Sequence, residues 1–301
     1  MRSFNSYRVH NNTFNPKFPL VLGFLLLLLF VIVFASFTRS NTTAPTTNTT
    51  TTETISPATT TTTTPNGVAV HSCTKIPSSL VDTILHYATS NTTPQQTLKE
   101  ISVTARVLKR RSPCNFLVFG LGHDSLMWAA LNHGGRTVFL EEDASWIETI
   151  RAKFPTLESY HVKYDTRVAQ AEELMELGRR PECSVVGDVK VSGCRLALRE
   201  LPELFYETEW DMIMVDAPTG WIPEAPGRMG AIYTAGMAAR GRKEGETDVF
   251  VHDVDRIVED KFSREFLCEG YMKEQEGRLR HFTIPSHKAN LGMPFCPGKE
   301  E

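Results

Sequence analysis

The spacing of apolar and polar positions divides the chain into three unlike stretches. Residues 20–37 are uncharged and almost wholly apolar. Eighteen residues rise about 27 Å as a helix, enough to cross a thin bilayer. Residues 40–67 hold 15 threonines and almost no apolar side chains. Such a segment cannot bury enough surface to offset its ordering entropy, and a disordered stalk is expected. Beyond it the apolar positions become periodic. Residues 98–111 place Leu98, Ile101, Val103, Ala105, Val107 and Leu108 at helical spacing before a break at Pro113. Short apolar runs then alternate with helical patterns. The runs at 115–119, 137–140, 159–164, 210–215, 248–251 and 279–284 predict strands, and 124–131, 144–154, 167–179, 228–240 and 257–267 predict helices. Apolar strands alternating with helices predict an α/β fold, with a mostly parallel sheet and helices on both faces.

Charge gives the chain a direction. Arg2, Arg8 and Lys17 precede the apolar span, Arg39 follows it, and the first 40 residues contain no acid. By the positive-inside tendency, residues 1–19 form a cytosolic tail, 20–37 a transmembrane anchor, 38–67 the stalk and 68–301 a lumenal domain. A single short span without a KDEL-type tail predicts a type II protein of the Golgi membrane. Asn41, Asn48 and Asn91 each begin an N-x-Thr sequon on the lumenal side. Asn11 also fits the pattern but falls on the cytosolic side. From residue 68 onward, 28 lysines and arginines face 34 acids, a net charge of −6. That excludes a general nucleic-acid binder, which needs a basic surface. All six cysteines follow the span and none forms a C-x-x-C pair, so a zinc ribbon is not expected. Disulfides are, with Cys183 and Cys194 the best single pair.

Chemistry concentrates at predicted strand ends. In open α/β sheets, ligands bind at the carboxyl ends of the strands. Gly120 and Gly122 follow the first strand, where a backbone without Cβ lets a ligand approach a helix N-terminus. Ser125 stands where a G-x-G-x-x-G pattern has its third glycine. Glu141 ends the second strand, placed to accept hydrogen bonds from the ribose hydroxyls of a nucleoside. Asp216 ends the fourth strand, and His252 and Asp253 the fifth. This trio could remove a proton from a hydroxyl or hold a divalent metal. Asp253-Val254-Asp255 permits a rival reading, the Asp-x-Asp metal and nucleotide-sugar motif of Golgi glycosyltransferases.

Five ordered segments, FLVFGLGHDSLMW (116–128), LNHGGRTVFLEE (131–142), WDMIMVDAPTG (210–220), PEAPGRM (223–229) and FVHDVDR (250–256), resemble the plant glucuronoxylan 4-O-methyltransferase family. The resemblance spans about residues 73–297. It implies a Rossmann-like class I methyltransferase fold and an S-adenosyl-L-methionine-dependent Golgi enzyme that methylates O-4 of glucuronic acid side chains on xylan. Gly120 and Gly122 would then pass under the methionine part of the cofactor, Glu141 would hold its ribose, Arg228 would take the glucuronate carboxylate on its planar fork, and Trp221 would stack on a sugar. Relatives with the same domain also include an arabinogalactan glucuronosyl methyltransferase and proteins needed for xylan deposition. A non-enzymatic wall-assembly protein therefore stands as a third expectation.

Overall fold

The structure is a computed structural model and describes residues 75–298. The expected tail, anchor and stalk lie outside these residues, as do Asn41, Asn48 and Cys73. Among the described residues no helix is long and apolar enough to cross a membrane.

Two helices open the described chain, α1 (Ser78–Thr89) and α2 (Leu98–Arg111). Thr97 caps α2, and Glu100 returns a hydrogen bond from its side chain to the cap backbone. Then follow β1 (Asn115–Phe119), α3 (Ser125–Leu131), β2 (Arg136–Glu141), α4 (Ala144–Lys153), β3 (Glu158–His161), α5 (Ala171–Gly178), α6 (Glu203–Glu207) and β4 (Met212–Val215). The rest is α7 (Met229–Gly241), β5 (Glu246–Val251), α8 (Ile257–Phe262), β6 (Met272–Glu276) and β7 (Leu279–Pro285).

The seven strands form one sheet in the order β3-β2-β1-β4-β5-β7-β6. The first five are parallel, and β7 runs antiparallel to both β5 and β6. The sheet is therefore mixed, a refinement of the mostly parallel expectation. Successive strand residues point to opposite faces, and each face meets its own layer. Leu117, Phe119, Val138, Leu140, Ile213 and Val215 pack with α7 and with Phe262 and Phe266. Phe116, Val118, Phe139, Met212 and Met214 pack with α2, α3 and α4. Small residues along α7 allow close approach: a Cβ on Gly236 would stand 2.9 Å from the Phe266 carbonyl. The Rossmann-like arrangement places the switch in strand order between β1 and β4, where a crevice opens.

Several boundaries differ from the pattern-based reading. The helix expected over 167–179 is a 3₁₀ turn (Val168–Gln170) followed by α5. The helix expected over 257–267 widens into a π segment (Ser263–Cys268), where Arg280 takes the Asp260 carbonyl and Arg240 that of Phe266. Side chains entering a helical ladder commonly cause such widening. Cys183 and Cys194 are joined as expected, Cys268 joins Cys296, and Cys114 is a buried free thiol.

One buried network fastens the reversed edge of the sheet. Asp248 on β5 accepts from Arg111 Nε of α2 at 2.6 Å and from Thr283 Oγ1 of β7 at 2.8 Å. His281 Nε2 lies 2.7 Å from the same carboxylate. Burial opposes the charge, but the bonds from His281 and Thr283 and the charge of Arg111 hold the Asp248 carboxyl below its ordinary value. A depressed carboxyl contributes stability above its unfolded value, about 4, and loses it as pH falls through the folded value. Asp248→Ala should therefore cost about 3–5 kcal/mol at neutral pH, the scale for breaking a buried charged pair. Denaturant titrations should find the gap from wild type narrowing below about pH 4. A gap independent of pH would assign the loss to packing alone.

Candidate active site

The carboxyl ends of β1, β2, β4 and β5 carry the polar residues singled out above. A cleft of about 1090 Å³ opens there, walled by Gly120–Asp124, Glu141–Trp146, Asp216, Ala217, Thr219, Trp221, Arg228 and Arg256.

On the β1 side the backbone turns sharply. Gly120 has φ +125°, and a Cβ there would meet Ala217 Cβ at 3.4 Å. Only glycine adopts that conformation without strain. Ser125, at the third position of the broken glycine pattern, is buried and accepts from Gly122 N at 2.9 Å. Glu141 fastens the same loop, taking Leu121 N at 3.0 Å on Oε2 and the amides of Glu142 and Asp143 on Oε1. Burial pushes its carboxyl above the ordinary value against those three bonds. Oε2, with a single protein donor, retains acceptor capacity toward the cleft. Glu142 reaches across to accept from the backbone and hydroxyl of Thr219. Those two bonds tie the β2 end to the loop after β4.

Behind the other wall lies a charged cluster. Arg228, at the entry to α7, is almost wholly buried, with 4% of its side chain exposed. Its Nε donates to Pro218 O at 2.9 Å, and its Nη1 to His252 O at 3.0 Å. Nη2 lies 3.3 Å from Asp216 and 3.0 Å from Asp253. The expected free fork is thus spent inside the fold. Asp253, buried and at φ +60°, also pairs with Arg256 at 2.8 Å and Arg278 at 2.6 Å. Asp255 is exposed. The two carboxylates of the Asp-x-Asp motif therefore do not converge, and the glycosyltransferase alternative loses its ligand pair.

The structure does bring Asp216, His252 and Asp253 together, with one possible ligand atom from each within 4.8 Å of the others. Only Asp216 of the three faces the cleft, with 20% of its side chain exposed. His252 stands behind it, its Nδ1 3.1 Å from Asp216 Oδ1. An ionised carboxylate can only accept, so the shared proton sits on Nδ1. Nε2 has no hydrogen-bond partner among the described residues and lies 3.9 Å from buried Glu100. Burial works against the Asp216 charge, yet the bond from His252 and the Arg228 charge hold its carboxyl below the ordinary value. Asp124, on the same cleft, moves the opposite way: burial and the Asp216 charge raise it. Trp221 is 67% exposed on the cleft wall, which rules out a core role.

The sequence profile of the IRX15/IRX15L/GXM family matches residues 99–282, more than half of the chain. This chain belongs to that family. It is 68% identical over 225 residues to glucuronoxylan 4-O-methyltransferase 3 of Arabidopsis thaliana, covering 75% of this chain and 76% of that protein. Identity to glucuronoxylan 4-O-methyltransferase 1 of the same plant is 65% over 231 residues, with coverage of 75% and 82%. Arabinogalactan O-methyltransferase 2 of Arabidopsis thaliana is 52% identical over 225 residues, with coverage of 72% and 77%. Among solved structures, the O-methyltransferase TomG of Streptomyces achromogenes, 14% identical, covers 70% of this chain and 91% of its own with a TM-score of 0.36.

Three participants escaped sequence reasoning. Gln96, buried, donates to Asp216 Oδ2 at 3.3 Å from the segment before α2. Glu100 stands behind His252, although its capping role was written in the Thr97-x-x-Glu100 spacing. Arg256, on the cleft, follows the Asp-x-Asp motif and carries no signal of its own in the sequence. Arg228→Lys keeps the charge but cannot serve two carbonyls and two carboxylates at once. It should lower stability by about 3–5 kcal/mol, the scale for breaking a buried ion pair, in equilibrium denaturant unfolding. A variant as stable as wild type would remove Arg228 from the centre of this cluster.

Proposed function

We propose that the chain is an S-adenosyl-L-methionine-dependent methyltransferase acting on O-4 of glucuronic acid side chains of glucuronoxylan. The observation that carries the reading is identity of 65–68% to three proteins named for that reaction, against 51–52% to the arabinogalactan O-methyltransferases. The cleft fits the cofactor: Gly120 and Gly122 expose backbone, Glu141 keeps acceptor capacity, and acids dominate the walls. When bound, the cofactor supplies an electrophilic methyl on a sulfonium.

The protein supplies alignment and a destination for the proton. Gly120, Gly122 and Glu141 would hold that cofactor, which would give up its methyl to the sugar oxygen and retain the electron pair of its carbon–sulfur bond. Asp216 takes the hydroxyl proton; His252, fixed by Asp216 and the wall behind it, orients the carboxylate and spreads the charge. Asp253 holds Arg228, and Arg228 holds Asp216. Trp221 offers the sugar a stacking face. Asp216 is also the one member of the metal-type trio open to the cleft, while the Arg228 guanidinium already lies between the carboxylates. A chelator that stops turnover, reversed by divalent ions, would make Asp216 a metal ligand instead.

The same reading places the protein in the Golgi membrane as a single-pass type II protein, with residues 20–37 as anchor and 68–301 in the lumen. The two disulfides support an oxidising compartment. Exposed Asn91 should accept a glycan in a secretory host; a glycan on Asn11 would reverse the orientation.

Incubating the protein with labelled S-adenosyl-L-methionine and, in parallel, glucuronoxylan and arabinogalactan should label xylan preferentially. Cofactor-product binding without transfer to either would sink the reading in favour of an assembly role. Asp216→Asn should reduce kcat about 10²–10⁴-fold, the range for losing a general base, with cofactor affinity retained. Because Asp216 is held low, the acidic limb of the wild-type rate profile should lie below the ordinary carboxylate range. A limb above that range would transfer the role to Asp124, whose carboxyl is raised.

A further inference from the structure

We infer that Arg256 is the residue that recognises the glucuronate carboxylate, a specificity role that rests on the methyl-transfer reading above. Two arginines line the cleft among the described residues, Arg228 and Arg256. Arg228 is closed off by its partners. Arg256 keeps 31% of its side chain exposed. Its Nη1 donates to Thr219 O at 3.0 Å and its Nη2 meets Asp253 at 2.8 Å. Its Nε donates to none of the described residues. The guanidinium is therefore held in a fixed plane with donor capacity left over, the arrangement that binds a carboxylate with little ordering cost.

The surrounding charge favours the same position. Asp124, Glu141, Glu142, Asp143 and Asp216 line the remaining walls, so an incoming anion finds its favourable charge at Arg256. His123 also lines the cleft, but beside the acids of the cofactor end, with its ring against Trp146. Asp253 does not cancel Arg256, because it is shared with Arg228 and Arg278.

The chemistry of the acceptor supplies the last constraint. In glucuronate the carboxylate sits on C-5, next to the C-4 carbon whose hydroxyl reacts. Its receptor must therefore stand beside the group that takes the proton. Arg256 and Asp216 meet that requirement through a continuous chain: Arg256 to Asp253 at 2.8 Å, Asp253 to Arg228 at 3.0 Å, Arg228 to Asp216 at 3.3 Å. Trp221, on the same wall, offers an exposed ring face to a sugar.

The test is a cycle between protein and acceptor. Wild type and Arg256→Gln are assayed with glucuronoxylan oligosaccharides and with the same oligosaccharides after reduction of the carboxyl to a hydroxymethyl group, in single turnover with excess enzyme. On the acidic acceptor, Arg256→Gln should lose about 10–100-fold in kcat/KM, the factor for one charged hydrogen-bond pair, chiefly through KM. Carboxyl reduction should cost wild type a similar factor, and the two losses should not multiply when combined. Arg256→Lys should recover part of the activity on the acidic acceptor only. S-adenosylhomocysteine affinity, measured by calorimetry, should be unchanged in both variants. Equal losses on both acceptors would make Arg256 a structural strut of the Thr219 loop and overturn the assignment, as would normal kinetics on the acidic acceptor. If wild type methylates neither acceptor while binding the cofactor product, the parent reading falls, and this one with it.

Discussion

A buried guanidinium organises this protein's site. Arg228 stands with almost no access to water, and transferring an unpaired charge to such a place would cost many kcal/mol. Its position is tolerable because two backbone carbonyls and the carboxylates of Asp216 and Asp253 close around it. Those four groups come from the loop after β4 and the end of β5. One side chain therefore fixes the separation of two strand ends that sequence places about 36 residues apart. Glu259, whose carboxyl is pushed up by burial against the pull of Arg228, completes the enclosure. Everything on that wall of the cleft inherits its position from this arrangement.

The opposite wall is built by another device. There the carboxylate of Glu141 gathers three backbone amides, and glycine rather than side-chain packing defines the surface. Glu142 then bridges to Thr219, so a single carboxylate oxygen joins the two walls across the cleft. The rear of the sheet has its own anchor in Asp248, which couples the reversed strand β7 to α2. The fold thus carries charged networks at both ends of its strands, while the apolar layers on its two faces hold the sheet between them.

Much of this was legible in the sequence because it depends on local pattern. Asn115–Phe119 is short, continuously apolar and followed by glycines, and it can hardly be anything but a buried strand. The same holds for the run that ends in Asp216. Strand ends bearing polar residues could be placed on one edge without knowing any contact. What stayed hidden depends on partners distant in sequence. Arg228 reads as a surface fork until its four acceptors are known. β6 is polar from Lys273 to Glu276 and has no apolar signature, so pairing with β7 alone makes it a strand. The widened turn after α8 needs Arg240 and Arg280 from elsewhere. Gln96 and Glu100 lie in a polar stretch whose relation to Asp216 and His252 is purely tertiary.

The acid-lined cleft has a consequence for the end of the reaction cycle. A sulfonium carries a formal positive charge that neighbouring carboxylates attract. Transfer of the methyl group would leave a neutral thioether on the spent cofactor, and the proton taken by Asp216 lowers the negative charge of the wall in the same step. The attraction therefore weakens at the moment the chemistry is complete. A wall built to hold the reactive form is by the same electrostatics a wall that lets the exhausted form go.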